Sequence, residues 1–348
     1  MSIIKTSLIL LFIGICSSQV SYNANLIGNW FAPNNNFVST SITDFNDIWG
    51  YESSGGLKYA LVGGWDGTYV VDISTDPSNP YLVSFLSGST SSHRDVKTYQ
   101  NFMYVGTEAN RANPELYEQG EIYIEPQGIQ VFDITDPSSP IEYPEWDGVV
   151  QSHNIMEADG FLYVMGSNEL YSDDGLVEAW GIDDLIVLDL SDPSSPTKVG
   201  GWSGEYIHDV CVFGDTLYGC SNTANTVYIF DVSDKTNPEV VYDIPNVLNA
   251  HSCWVSEDGE TLFTATEVTG GLISSWDVSD LSNINLLDDW FPVGAGEHSA
   301  HNPFVVGDRL YISYYLYGLQ VLDISDPSDM RLAAYYDTYD GETDYIYT

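Results

Sequence analysis

Short apolar runs broken by turn residues recur along this chain, and helical spacing is nearly absent after the first eighteen residues. The most regular run ends in Asp-aliphatic-Ser/Thr: Val70-Val71-Asp72-Ile73-Ser74, Val131-Phe132-Asp133-Ile134-Thr135, Val187-Leu188-Asp189-Leu190-Ser191, Ile229-Phe230-Asp231-Val232-Ser233, Ser275-Trp276-Asp277-Val278-Ser279 and Val321-Leu322-Asp323-Ile324-Ser325. The aspartates are spaced by 61, 56, 42, 46 and 46 residues, a basic unit with insertions in two copies. A period of about 45 residues is that of a propeller blade. The fourth unit divides into four short β-rich runs, His208 to Phe213, Thr216 to Cys220, Thr226 to Val232 and Glu239 to Ile244, joined by Gly, Asn, Asp and Pro turns. Four antiparallel strands make one blade, and blades packed face to face account for strands that are apolar on both sides.

The pattern therefore predicts an all-β fold, a β-propeller of four-stranded blades with six repeats visible. Asn25-Leu26-Ile27-Gly28-Asn29-Trp30 resembles the fourth strands Lys198-Val199-Gly200-Gly201-Trp202 and Leu286-Leu287-Asp288-Asp289-Trp290, yet it precedes the first full unit. An orphan outer strand can complete a blade at ring closure, but only Asp337 to Thr348 follow the sixth unit. The reading is six blades with an irregular closure, with a truncated seven-blade ring as its alternative.

Residues 1–18 read as a secretory signal, with Lys5, an apolar run from Leu8 to Ile15 and small residues Ser17-Ser18. A single propeller domain over 19–340 and a short tail over 341–348 are expected to follow. No later run has the length needed to span a bilayer. The net charge of −42 repels nucleic acid and anionic lipid; it suits solubility in a saline setting or attraction of cationic partners. The expectation is a secreted, extracellular or cell-surface protein without membrane insertion. Cys211, Cys220 and Cys253 remain after the signal, an odd number that makes no disulfide scaffold and leaves one bridge open.

The strings Ser91-Ser92-His93-Arg94-Asp95-Val96-Lys97, Ser152-His153-Asn154-Ile155, Val187-Leu188-Asp189-Leu190-Ser191-Asp192-Pro193, Tyr206-Ile207-His208-Asp209, Trp276-Asp277-Val278-Ser279-Asp280-Leu281 and Tyr335-Tyr336-Asp337-Thr338-Tyr339 resemble the LVIVD-repeat, choice-of-anchor B family. The resemblance covers about residues 25 to 340. It implies an exported or cell-surface propeller whose members share a core and differ in C-terminal anchor; the sequence departs from that pattern at its end. It implies no particular activity.

All six histidines fall at one phase of the repeat. Alignment on the aromatic residue of each second strand (Tyr104, Tyr163, Tyr218, Phe263, Tyr311) puts Arg94, His153, His208, His251 and His301 in one column. The next column holds Asp47, Asp95, Asn154, Asp209, Ser252 and Asn302. His93 and His298 lie just before it. These residues begin the innermost strands and should ring one channel mouth. Glu108 and Glu267 end second strands at the same mouth, and acidic, aromatic insertions over 109–128 and 169–184 enlarge that face.

Imidazoles with carboxylates are ligands for Zn, Cu, Fe or Mn, which makes His153, His208, His251 and His301 the candidate divalent transition-metal set. Asp47, His93, Arg94, Asp95, Glu108, Asn154, Asp209, Glu267, His298 and Asn302 are the candidates for contacting a small-molecule or protein ligand. The competing reading is a water-filled mouth whose polar residues bond to neighbouring blades. Three classes stay open: a binding module, an exported metalloenzyme with Glu108 or Glu267 as proton acceptor, and a metal-free interaction protein with an acidic rim. The strand aspartates and the Asp-Pro turns at Asp76, Asp136 and Asp192 read as turn chemistry.

Overall fold

The computed structural model describes residues 21–31, 45–109, 111–112, 124–125, 128–149, 151–167, 169–172, 175–178, 183–292 and 299–338. The expected signal over 1–18, the tail over 341–348 and His298 lie outside them. Six four-stranded antiparallel blades form a ring, a six-blade β-propeller. From the channel outward, blade 1 is Phe45–Glu52, Lys58–Gly64, Gly67–Asp72 and Tyr81–Ser87. Blade 2 is Arg94–Tyr99, Phe102–Thr107, Ile129–Asp133 and Ile141–Trp146. Blade 3 is Asn154–Ala158, Phe161–Met165, Leu185–Asp189 and Thr197–Trp202. Blade 4 is Asp209–Phe213, Thr216–Ser221, Thr226–Asp231 and Glu239–Pro245. Blade 5 is Ala250–Val255, Thr261–Thr266, Ile273–Asp277 and Asn285–Trp290. Blade 6 is Pro303–Val306, Arg309–Ser313, Leu319–Asp323 and Arg331–Tyr336. Among the described residues no helix is long and apolar enough to cross a membrane.

The repeat motif builds the outer corner of every blade. Each strand aspartate turns its carboxylate back onto the backbone N–H two residues on: Asp72 to Ser74, Asp133 to Thr135, Asp189 to Ser191, Asp231 to Ser233, Asp277 to Ser279 and Asp323 to Ser325, at 2.6–3.1 Å. This Asx turn stops the third strand and aims the chain at the fourth. The following Asp-x-Ser/Thr turns repeat the bond, as in Asp76 to Ser78 and Asp192 to Ser194. In five blades the register between third and fourth strands slips at the two residues before the aspartate, a bulge that strengthens the local twist. At the tight turn between the first two strands of blade 4, Gly214 has φ +57°, which only glycine adopts without strain.

The seams between blades hold the core. Tyr51 and Leu61 meet Val96 and Met103 between blades 1 and 2; Tyr104 and Ile129 meet Ile155 and Leu162 between blades 2 and 3. Met156 and Tyr163 meet Val210 and Leu217, Cys211 and Ile229 meet Cys253 and Leu262, and Phe263 and Ile273 meet Val305 and Leu310. Each fully buried aliphatic or aromatic side chain contributes about 1.5–3 kcal/mol. Cys211, Cys220 and Cys253 are buried free thiols in the fourth of these seams.

The sixth seam, between blades 6 and 1, differs. Four apolar side chains there are exposed, Ile48 by 62%, Phe304 by 39%, Val306 by 51% and Tyr311 by 37%, while Ala60, Tyr69 and Val71 of blade 1 are buried against Trp30 and Phe45. Closure is made instead on the outside. Ser21–Tyr22 adds a fifth strand to blade 6, pairing with Tyr336 and Tyr335, and Asn23 donates to the Ala333 carbonyl at 2.9 Å. The chain then crosses to blade 1, where Trp30 packs on Phe45 and Tyr69 with ring centroids 5.8 and 5.4 Å apart. A Cβ on Gly28 would lie 2.3 Å from the Pro77 carbonyl oxygen, much as one on Gly200 would lie 2.1 Å from that of Lys235 in the next blade's turn. The segment 25–30 therefore stands where an outer strand would stand before blade 1, but it is not in a sheet. Among the described residues no strand pairs with it, so its backbone joins no ladder there. The expected resemblance to a fourth strand is one of position, and the pairing strand is Ser21–Tyr22.

Candidate functional site

The predicted register holds. The second-strand aromatics pair with Lys97, Met156, Cys211, Trp254 and Phe304, each three residues beyond the histidine column. Around one mouth the imidazoles form a continuous row. Ring centroids are 5.3 Å apart from His93 to His153, 4.1 Å from His153 to His208, 4.2 Å from His208 to His251 and 4.4 Å from His251 to His301. Tyr315 continues the row 5.3 Å from His301.

In blade 2 the column residue is Arg94, which turns away from the mouth. It is fully buried, with Nε donating to the Gly64 carbonyl at 2.9 Å, Nη2 to the Ser89 carbonyl and Nη1 to Gln130 at 3.4 Å. Its guanidinium is thus bonded into the wall rather than facing the mouth. His93, one residue earlier, takes its place in the row.

Two carboxylates divide the row into two clusters. Glu108 accepts from His153 Nδ1 at 2.5 Å and from His93 Nδ1 at 2.8 Å. Glu267 Oε2 lies 3.4 Å from His251 Nε2, and its other oxygen accepts from the Tyr315 hydroxyl. His93, Glu108 and His153 form one group whose nearest donor atoms all lie within 4.8 Å of one another; His251, Glu267 and His301 form the other. Backbone bonds hold both carboxylate loops against the inner strands, Glu108 N to His93 O and Glu267 N to Asn249 O, each at 3.2 Å. His208 lies between the groups and donates from Nδ1 to the His251 carbonyl at 3.1 Å, a blade-to-blade bond of the water-filled-mouth kind. His251 Nδ1 makes no hydrogen bond of acceptable geometry.

Electrostatics keep most of the row neutral. Burial, then the charges of neighbouring imidazoles, pushes His208 and His251 well below the usual histidine range, and the same causes bring His301 down to about 4. At Glu108 burial acts upward, but the bonds from His153 and His93 outweigh it and hold the carboxyl below its ordinary range. His93 is raised: burial opposes the change and the Glu108 bond and charge overcome it. Burial raises Glu267. Neutral imidazoles keep the lone pairs that bind metals.

The second column lies deeper than expected, inside the channel. Asp47, Asp95, Asn154, Asp209, Ser252 and Asn302 line one cavity of about 600 Å³ together with Lys97, Trp49, Trp254 and Phe304. Two of its carboxylates staple blades: Asp47 accepts from Val96 N at 2.9 Å and Asp95 from Ile155 N at 2.6 Å. Lys97 lies 2.6 Å from Asp95 and 3.4 Å from Asp47, with its ammonium 4.8 Å from the Trp49 ring centroid. The insertions each carry a two-stranded antiparallel ribbon, Arg111–Ala112 with Ile124–Glu125 and Glu169–Ser172 with Gly175–Glu178.

Tyr315 was absent from the sequence reading. It sits four residues after the second-strand aromatic Tyr311, the same offset that gives Glu108 from Tyr104 and Glu267 from Phe263. Extending the alignment by four positions would have found it. It has φ +31°, uncommon for a non-glycine residue, in the short 3₁₀ turn Tyr315–Tyr317.

The LVIVD repeat matches this chain over residues 54–86, 179–202 and 299–338, which fall in blades 1, 3 and 6. No curated protein sequence matches it. Solved structures share its fold. The periplasmic gluconolactonase PpgL of Pseudomonas aeruginosa is 14% identical, covering 83% of this chain and 81% of that one, with a TM-score of 0.59. A putative 6-phosphogluconolactonase from Bacteroides uniformis is 12% identical over 85% and 84%, also at 0.59. A protein from Lactobacillus plantarum is 14% identical over 84% and 82%, at 0.58. At these identities the likeness is one of fold.

Proposed function

We propose that this chain is an exported propeller that binds divalent transition metal at the histidine mouth, in two three-donor sites: His93, Glu108 and His153, and His251, Glu267 and His301. The observation that carries the reading is the pairing of each carboxylate with two imidazoles whose donor atoms lie within 4.8 Å. Glu108 Oε1 and His153 Nδ1, 2.5 Å apart, are both donor atoms of the kind such a cation takes. Three ligands suit Zn, with Cu, Fe or Mn as alternatives of the same donor class, and leave a position open to a ligand. That open position is what favours the hydrolytic version of the reading, in which bound metal activates water. The binding version comes first because Glu108 is already bonded to two imidazoles and is poorly placed as a free proton acceptor. The acidic composition, the signal-like residues 1–18 and the choice-of-anchor B resemblance support export.

The test is elemental analysis of untagged protein, followed by chelation and titration with Zn²⁺ and Co²⁺. Expected stoichiometry approaches two; it falls by one in His93→Ala with His153→Ala, and by one in His251→Ala with His301→Ala, while His208→Ala leaves it unchanged. No stoichiometric metal after reconstitution, or full binding in both double variants, overturns the proposal. Circular dichroism of the variants separates lost binding from lost fold.

A further inference from the structure

The channel cavity shares His301 with the histidine mouth, but the rest of its lining is of a different kind. It draws its lining from all six blades, and its exposed lining residues, Asn46, Ile48, Gly50, Phe304 and Tyr311, belong to blades 1 and 6, so among the described residues it opens between those two blades. Its volume is that of a small-molecule site, where an apolar body is gripped by aromatic walls and a few polar groups fix its orientation. The walls are present: Trp254 and Phe304 pack with centroids 4.3 Å apart, and Trp49 meets Phe304 edge-on at 6.2 Å.

The polar lining calls for a particular partner. Lys97 is engaged with Asp47 and Asp95, 3.4 and 2.6 Å away. The third cavity carboxylate, Asp209, is more than nine-tenths buried; Lys97 reaches it only through space, and no ion pair joins the two. Its recorded bond is from its own neighbour, Val210 N, at 2.7 Å, and Ser252 lies beside it as a donor. Asn302 Oδ1, on the same cavity, is buried with no donor at all. A buried anion with no cation in contact and a buried acceptor without a donor are both costly. One ammonium group supplies charge and N–H donors together, and aromatic faces favour such cations. A neutral sugar would meet the aromatic walls but leave the charge of Asp209 uncompensated.

We propose that the channel cavity is a second ligand site, adjoining the metal mouth at His301, that takes an organic primary ammonium with an apolar body, its charged end at Asp209 and Asn302 and its body against Trp254 and Phe304. Entry is through the seam between blades 6 and 1. Nothing in this assignment depends on metal at the histidines.

Titration with 2-phenylethylammonium chloride, followed by tryptophan fluorescence and calorimetry, tests it, with 2-phenylethanol as the neutral isostere and methyl glucoside as a carbohydrate probe. Expected is saturable binding of the ammonium alone, weakened about tenfold or more by Asp209→Asn and retained in Glu108→Gln, which alters only the mouth. Phe304→Leu, a change at the exposed rim that leaves the buried end intact, should weaken binding of the apolar body without abolishing it. Equal affinity for the alcohol, preference for the glycoside, full affinity in Asp209→Asn, or no binding of the ammonium by the native protein each overturns the assignment.

Discussion

Replacing Lys97 with methionine removes the one cation paired to Asp47 and Asp95 inside the channel while keeping an unbranched side chain against Trp49. The Lys97 side chain is 8% exposed and that of Asp95 6%. At an effective dielectric of about 20, Coulomb attraction is about 6 kcal/mol for the 2.6 Å contact and about 5 kcal/mol for the 3.4 Å contact. Removing a buried ammonium from water offsets much of this, so the measurable cost is that of stranding its partners, about 3–5 kcal/mol. The sign of the pH dependence follows from the carboxyls. Burial acts to raise Asp47, but Lys97 holds it below its usual range, whereas burial and then Asp47 hold Asp95 well above. Without Lys97 both carboxyls titrate above their unfolded value of about 3.9. The penalty is then absent below that value and grows as pH rises through the folded values. Urea denaturation followed by tryptophan fluorescence should therefore show a loss of about 3–5 kcal/mol at about pH 7, shrinking below about 1 kcal/mol at about pH 4. Adding Asp95→Asn should restore part of the loss at the higher pH. A cost under about 1 kcal/mol at about pH 7, or an equal cost at both values, would refute the reasoning.

The external strap makes Gly28→Ala destabilising by about 1–3 kcal/mol, because its Cβ meets the Pro77 carbonyl, whereas Gly50→Ala, with nothing within 4 Å, should be neutral in the same thermal melts; equal effects would remove the strap from the closure. Burial raises Asp209 to about 6, so the folded protein loses up to about 3 kcal/mol as pH climbs from about 4 through 6, and Asp209→Asn should flatten that slope and stabilise at neutral pH. An unchanged slope in the variant would show that another group carries it. Cys211, Cys220 and Cys253 are buried free thiols, so in a Cys16→Ser variant a thiol reagent should be inert toward the native protein and modify all three in urea. Rapid reaction without denaturant, or a missing thiol after it, would contradict that seam.

The fold was legible because its determinants are local and repeated. An Asp-aliphatic-Ser/Thr corner needs only the Asp72-type carboxylate and the N–H two residues on, and that chemistry is written six times. The register was legible for the same reason, since one aromatic per second strand fixes where the inner strand begins. What a repeat phase does not encode is where a side chain goes after it leaves the backbone. Arg94 and His153 share a column, yet Gly88, where a Cβ would lie 2.5 Å from Nη1, leaves Arg94 room to turn into the wall. The same limit applies to the carboxylates: Glu108 joins His153 to His93, and that pairing splits the four expected ligands into two groups with His208 between them.

The seam between blades 6 and 1 joins the two kinds of information. In the other five seams the apolar faces of neighbouring strands must be buried together, and the sequence supplies clusters for all five. The remaining cluster, of Ala60, Tyr69 and Val71 with Trp30, lies on blade 1 and is covered by the strap from outside. Once Ser21–Tyr22 and Trp30 fasten the two blades externally, the inner strands need not meet along their length to close the ring. Ile48 and Phe304 then stay exposed on a cavity that Asp209 and Asn302 also line. Among the described residues, closure by a strap rather than by packing of the inner strands is thus what leaves the cavity accessible, and a strap variant that melts early should also lose its discrimination between the ammonium and its neutral isostere.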